Sequence, residues 1–114
     1  MAKYETTFRG DFADFVQTLH EGIMTASASA SFEGSSDYSA GEVKCAVRVY
    51  ERFAAMGTGR SSLSVTVVES SGTIFVSLIA SGGGGGLVFK VNTWSEKAFL
   101  QTAVDVVEEY TRLR

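Results

Sequence analysis

The chain has 114 residues, of which 45% are hydrophobic and 20% charged, and its formal net charge is -3. This length suits a single domain, residues 1–114, with a real hydrophobic core, and the composition excludes intrinsic disorder. The negative charge disfavours a protein whose affinity comes from neutralising phosphates.

Targeting features are absent from the sequence pattern. The lone cysteine, Cys45, excludes an internal disulfide and suits a reducing compartment. The first residues lack the apolar core of a secretory signal, and the longest strongly apolar stretch, about residues 73–80, is shorter than the roughly 20 residues that a membrane helix needs. We therefore predict a cytoplasmic protein with no membrane association.

The first part of the chain predicts a strand followed by a helix. Apolar and polar residues alternate over residues 3–9, as in a half-buried strand. Asp11 is the predicted N-cap of a helix over residues 11–21, and Gly22 is its predicted stop. The alternating alanines and serines of residues 25–32 predict a second strand, and residues 34–37 a loop.

The middle of the chain predicts three more strands, at residues 43–53, 62–67 and 74–78, with a tight turn at 69–72. Each has one aliphatic side, which we expect the helices to cover. In the first of the three, that side comprises Val43, Cys45, Val47 and Val49.

After a run of glycines, residues 87–91 are compatible with a short strand or a continuation of the preceding one. Thr93 and Glu96 have the spacing of a capping box, and the apolar spacing after them predicts a helix that runs almost to the end of the chain.

These elements predict a two-layer α+β domain: an antiparallel sheet of about five strands with two helices on one face, in the order strand, helix, four strands, helix. The order resembles the half-repeat of the TATA-binding-protein fold and a reduced helix-grip fold, that of plant pollen-allergen-like lipid carriers. The stretch Gly41–Arg52 and the glycine-rich segment before the last helix resemble a family of small bacterial proteins that is catalogued as a domain of unknown function. Neither resemblance implies an activity.

The glycine run is the most visible motif. It lacks the lysine and hydroxyl residue of a P-loop and the spacing of a dinucleotide fingerprint. A flexible connection is the plain interpretation, and a flap over a pocket beside the last helix is the functional alternative. The candidate ligand-binding residues are Gly82, Gly83, Gly84, Gly85, Gly86 and Trp94.

The candidate interaction surface is the polar side of the strand at 43–53. Lys44, Arg48, Tyr50 and Arg52 share that side, and Phe75 is expected beside them on an exposed sheet face. An exposed apolar patch favours association with a second copy. Basic and aromatic residues together also permit single-stranded nucleic acid, which the net charge disfavours.

No catalytic motif stands out. His20 is predicted to be an exposed residue at a helix end, and Cys45 a core residue. One histidine and one cysteine make no metal cluster, and no cofactor is expected. The leading interpretation is a non-catalytic binding module that pairs with itself or with another protein. The alternatives are an apolar-ligand carrier, or an enzyme using Tyr50, Arg48 or Glu51, with a pocket against the C-terminal helix.

Overall fold

The computed structural model describes residues 1–53, 59–82 and 89–113, with side chains from residue 95 onward in the last segment. These residues form an antiparallel sheet and two helices in the order strand, helix, four strands, helix, which confirms the predicted α+β class. The elements are β1 (Ala2–Arg9), α1 (Phe12–Ala26), β2 (Ser31–Ala40), β3 (Val43–Phe53), β4 (Arg60–Ser70), β5 (Thr73–Gly82) and α2 (Phe89–Arg112).

The sheet has the strand order β1-β5-β4-β3-β2. A two-residue turn joins β4 to β5, and its residues Ser71 and Gly72 have φ angles of 52° and 85°. Positive φ at both positions matches the right-handed twist of the flanking strands, so the predicted turn at 69–72 is confirmed. Gly41, with φ of 56°, begins an equally short turn between β2 and β3. Such short turns fix the pairing register.

Both helices pack on one side of the sheet. The Asp14 backbone N–H donates to Asp11 Oδ2 over 2.9 Å, which confirms Asp11 as the N-cap of α1. α2 packs on β5, β4 and β1, and α1 packs on α2 and β4. The inner faces of β3 and β2 therefore extend beyond most of the helix layer. The core includes Phe15, Leu19, Ile23, Leu63, Val65, Ile74, Val76, Leu78, Phe99 and Val107.

Helix α1 is longer than predicted because Gly22 does not end it. A Cβ atom on Gly22 would lie 2.6 Å from Val106 Cγ2, so this glycine permits the close approach of α1 and α2. The predicted strand at residues 25–32 was wrong, since α1 continues to Ala26 and β2 begins only at Ser31. The predicted loop at residues 34–37 is part of β2.

Helix α2 also begins earlier than predicted. Residues 89–91 belong to it, not to a strand, whereas residues 87 and 88 lie outside the described part of the chain. Thr93 is consequently inside the helix and not its N-cap. The helix continues to Arg112, as predicted. Within the described segments, no helix is both long and apolar enough to cross a membrane.

The orientation of β3 is the main correction. Tyr50 pairs with Leu63 and Arg48 with Val65, and residues directly opposite each other share a face. Leu63 and Val65 are buried under the helices, so the side of β3 that carries Arg48 and Tyr50 also faces the helix layer. The aliphatic side of β3, predicted to lie under the helices, belongs to the opposite face of the sheet, here called the outer face. Its β3 members include Val43, Cys45, Val47 and Val49.

Candidate functional site

An open cavity lies between α1 and the uncovered inner side of β2 and β3. Its volume is about 470 Å³, and we call it the α1 cleft. It exists because the helices cover mainly the other three strands. Apolar and polar side chains both line it: Phe12, Ala13, Val16, Gln17, His20, Phe32, Ser35, Asp37 and Arg48.

Three rings form one wall of the α1 cleft. His20 Nδ1 and the Tyr50 hydroxyl are 2.8 Å apart, and the Phe32 ring packs edge-on against His20 with centroids separated by 5.1 Å. Tyr50 is 1% exposed, and this burial raises its pKa to about 12, although Arg48 acts in the opposite direction. The phenol therefore keeps its proton and can donate it to Nδ1. In that arrangement a neutral imidazole carries its own proton on Nε2.

Arg48 supplies the cationic group of the α1 cleft. Its Nη1 donates to Asp37 Oδ1 over 2.7 Å and to the Val47 carbonyl oxygen over 2.9 Å. The Arg48 side chain is 18% exposed, whereas that of Asp37 is 64% exposed. The guanidinium is therefore largely covered while its carboxylate partner remains at the rim. A pair with one such exposed member typically contributes at most about 1 kcal/mol to stability.

The predicted interaction surface does not form one exposed patch. Lys44, Arg48, Tyr50 and Arg52 do share a face, but it is the inner one, because of the β3 register. Arg52 lies over the core ring of Phe99, 4.6 Å from its centroid, and burial lowers the pKa of this guanidinium. Lys44 is exposed near the start of β3.

Of the predicted interaction residues, Phe75 alone is on the outer face, where it is 36% exposed. It ends a continuous apolar row across four strands, formed by Tyr38, Cys45, Val68 and Phe75. Tyr38 is 68% exposed. Cys45, predicted to be a core residue, is instead partly exposed in this row. Neither helix packs on this side of the sheet.

Charged residues of the outer face lie at its margins. Lys3, Glu5 and Arg9 belong to the edge strand β1. Glu51 lies at the far end of β3, where it pairs with Arg60 across 2.9 Å. Glu51 is therefore on the opposite face from Arg48 and Tyr50, so the three residues of the enzyme alternative do not meet.

The predicted glycine site is described only at its first residue. Gly82 ends β5 opposite Ser61 and lines a shallow cavity of about 530 Å³ with Glu51 and Arg60. Residues 83–86 and the side chain of Trp94 lie outside the described part of the chain, so their role in ligand binding stays a prediction.

Phe32 and Asp37 were not predicted as site residues, because the predicted second strand ended at residue 32 and residues 34–37 were predicted to form a loop. The contact between His20 and Tyr50 was also missed, since nothing in their spacing links a helix residue to a strand 30 residues later. His20, predicted to be exposed at a helix end, is half-buried within α1, because α1 continues to Ala26. The apolar stripe of α1 was the available signal for Phe12 and Val16, although it did not show that part of the stripe borders a cavity. In the described segments, no three His, Cys, Asp or Glu side chains are grouped as a metal site.

Comparison with known proteins agrees with the resemblance that the sequence indicates. Among curated proteins there is no match. A family model does match, and it covers residues 1–111 of the chain. The protein belongs to this family, DUF6054, a family of unknown function.

Proposed function

We propose that this domain is a non-catalytic interaction module that pairs with a second copy of itself through the outer face of its sheet. The orientation of β3 carries the proposal. Its apolar side, with Cys45 and Val47, points away from the helices, whereas Arg48 and Arg52 point towards them. A strand that contacted only water on its outer side would be expected to carry polar residues there.

The composition of the outer face resembles the centre of a protein interface. The row from Tyr38 to Phe75 is apolar, and its neighbours on β3 and β4 include valines, serines and a threonine. The charges are confined to the margins, as they are around many interfaces. The face thus has an uncharged centre and a charged rim.

The size of the face is sufficient for a stable pair. Five strands of 8–11 residues, spaced about 4.8 Å apart with a rise of about 3.4 Å per residue, give about 650–900 Å². A standard interface buries about 800 Å² on each partner. Two such faces can pack as aligned sheets about 10 Å apart.

A second copy is the occupant that best fits the charge distribution. The chain carries a net charge of -3, so two copies repel each other at long range. An uncharged centre places no like charges in contact, and a two-fold axis uses the same face twice. The basic residues Lys44, Arg48 and Arg52 are not on this face, which removes the observation behind the nucleic-acid alternative.

The test compares molar mass in solution for the wild type, Phe75→Glu and Leu113→Glu by light scattering. We expect the wild type to have twice the 12.2 kDa chain mass. Phe75→Glu should be monomeric because it buries a charge in the pair. Leu113 is 75% exposed at the end of α2 and provides the matched control, which should remain dimeric. A monomeric wild type at high micromolar concentration would refute the proposal.

We also propose a cytoplasmic location, where the thiol of Cys45 would stay reduced. A carrier pocket against the C-terminal helix remains a separate prediction. The residues that would form it, 83–86 and Trp94, require direct study by ligand binding to variants with two of the glycines replaced by alanine.

A further inference from the structure

We propose that the α1 cleft binds a small monocarboxylic acid with an aromatic or branched apolar body, whose carboxylate is held by Arg48. This site is on the inner face of the sheet and is independent of the proposed pairing surface. Its volume of about 470 Å³ lies within the range of small-molecule sites, about 300–1,000 Å³.

The apolar part of the ligand is indicated by the walls of the α1 cleft. Phe12 and Val16 from α1 and Phe32 from β2 line the cavity, and Phe32 is 45% exposed. The Phe32 ring is already part of a ring cluster with His20 and Tyr50. An apolar body placed here would cover this exposed ring and gain both burial and edge-on ring contacts.

The hydrogen bonds of the Arg48 guanidinium indicate that the ligand carries a carboxylate. Among the described residues, both hydrogen bonds of the Arg48 guanidinium use Nη1, and Arg48 lines the α1 cleft, so Nη2 and Nε are the donors that a ligand there would use. A guanidinium fork matches the geometry of a carboxylate. His20 offers a second donor at Nε2, because its Nδ1 is engaged by the Tyr50 hydroxyl.

The charge of the ligand is limited by Asp37. This exposed carboxylate accepts a hydrogen bond from Arg48 Nη1, and it would repel an anion bound to the same guanidinium. The paired Arg48 and Asp37 carry no net charge together, so a second negative charge on the ligand, as in phosphate, gains little attraction from them while its desolvation costs more. A ligand with one negative charge and a large apolar body therefore suits the cleft better than a phosphate compound.

The test is a titration of nitrogen-15-labelled protein followed by amide chemical shifts near His20, Phe32 and Arg48. The probes are 3-phenylpropionate, its neutral amide 3-phenylpropionamide, and acetate. We expect 3-phenylpropionate to bind at the α1 cleft and the amide to bind about tenfold more weakly or worse, because it loses a charge-assisted bond. Acetate should also bind more weakly, since it has no body for the aromatic wall.

Variants separate the proposed contacts from nonspecific attraction. Arg48→Gln should weaken 3-phenylpropionate binding about tenfold, whereas Arg60→Gln, which changes an exposed arginine on the outer face, should leave it unchanged. Asp37→Asn should tighten binding about two- to fivefold, because it removes the competing negative charge.

Asp37 is exposed, so its variant remains folded and keeps the test decisive if Arg48→Gln is unstable. Equal binding of the acid and the amide would overturn the proposal. So would shifts that map away from the α1 cleft, or an Asp37→Asn variant that binds no more tightly than the wild type.

Discussion

Replacing Gly22 by alanine tests how closely the two helices approach. The added Cβ would lie 2.6 Å from Val106 Cγ2, 3.0 Å from Cγ1 and 3.3 Å from Cβ. Rotation of Val106 offers little relief, since both methyl groups of this stiff side chain and its Cβ are near the new atom. Overpacking of this kind costs about 1–3 kcal/mol, whereas glycine to alanine inside a helix gains about 0.5–1 kcal/mol. We therefore expect Gly22→Ala to lower the free energy of unfolding by about 1 kcal/mol.

A double-mutant cycle with Val106→Ala makes this prediction sharper. In that background the clashing methyl groups are gone, so Gly22→Ala should raise the free energy of unfolding by about 0.5–1 kcal/mol. Urea denaturation followed by circular dichroism measures all four proteins. A stabilising effect of Gly22→Ala in both backgrounds would refute the clash, because helix propensity alone would then account for it. A destabilising effect in both would show that the cost does not come from the methyl groups of Val106.

Three further predictions concern Tyr50, the cap of α1 and the thiol of Cys45. Burial raises the pKa of Tyr50 from 10.0 to about 12, so the protonated phenol contributes its full stabilisation below pH 10. The free energy of unfolding should fall by about 2–3 kcal/mol as the pH rises through 12 and the buried phenol ionises. Urea titrations at several alkaline pH values should show this fall in the wild type and a smaller one in Tyr50→Phe. Asp11→Ala should lower the free energy of unfolding by about 1 kcal/mol, since the Asp14 N–H loses its capping acceptor; an unchanged urea midpoint would contradict this. Cys45 should react more slowly with a thiol reagent as protein concentration rises, whereas in Phe75→Glu the rate should not depend on concentration.

The order of elements could be predicted from the sequence, because most strands have a period of two and the helices have apolar stripes. The second strand could not. β2 has mostly polar or small residues on both faces, and its two aromatic residues, Phe32 and Tyr38, lie on opposite faces, so it lacks an alternating pattern. Its pairing with β3 holds it in the sheet, and that pairing depends on residues far from its own local sequence.

The faces of β3 could not be assigned from the sequence either. Alternation shows that two sides differ, but not which side the helices cover. Arg52 lies inside because its guanidinium stacks on Phe99, and Tyr50 because its hydroxyl reaches His20. These contacts come from residues distant in the chain. The same inversion leaves Cys45 and its aliphatic neighbours outside, which is why the interaction surface differs from the predicted one.

The central claim is that two copies meet through their outer faces. The most direct measurement is an isotope-filtered nuclear Overhauser experiment on a mixture of labelled and unlabelled chains, which detects only contacts between copies. We predict contacts between the side chains of Val68, Phe75 and Tyr38 of one copy and outer-face residues of the other. Contacts confined to the free edges of β1 and β2, or to the helices, would contradict the account.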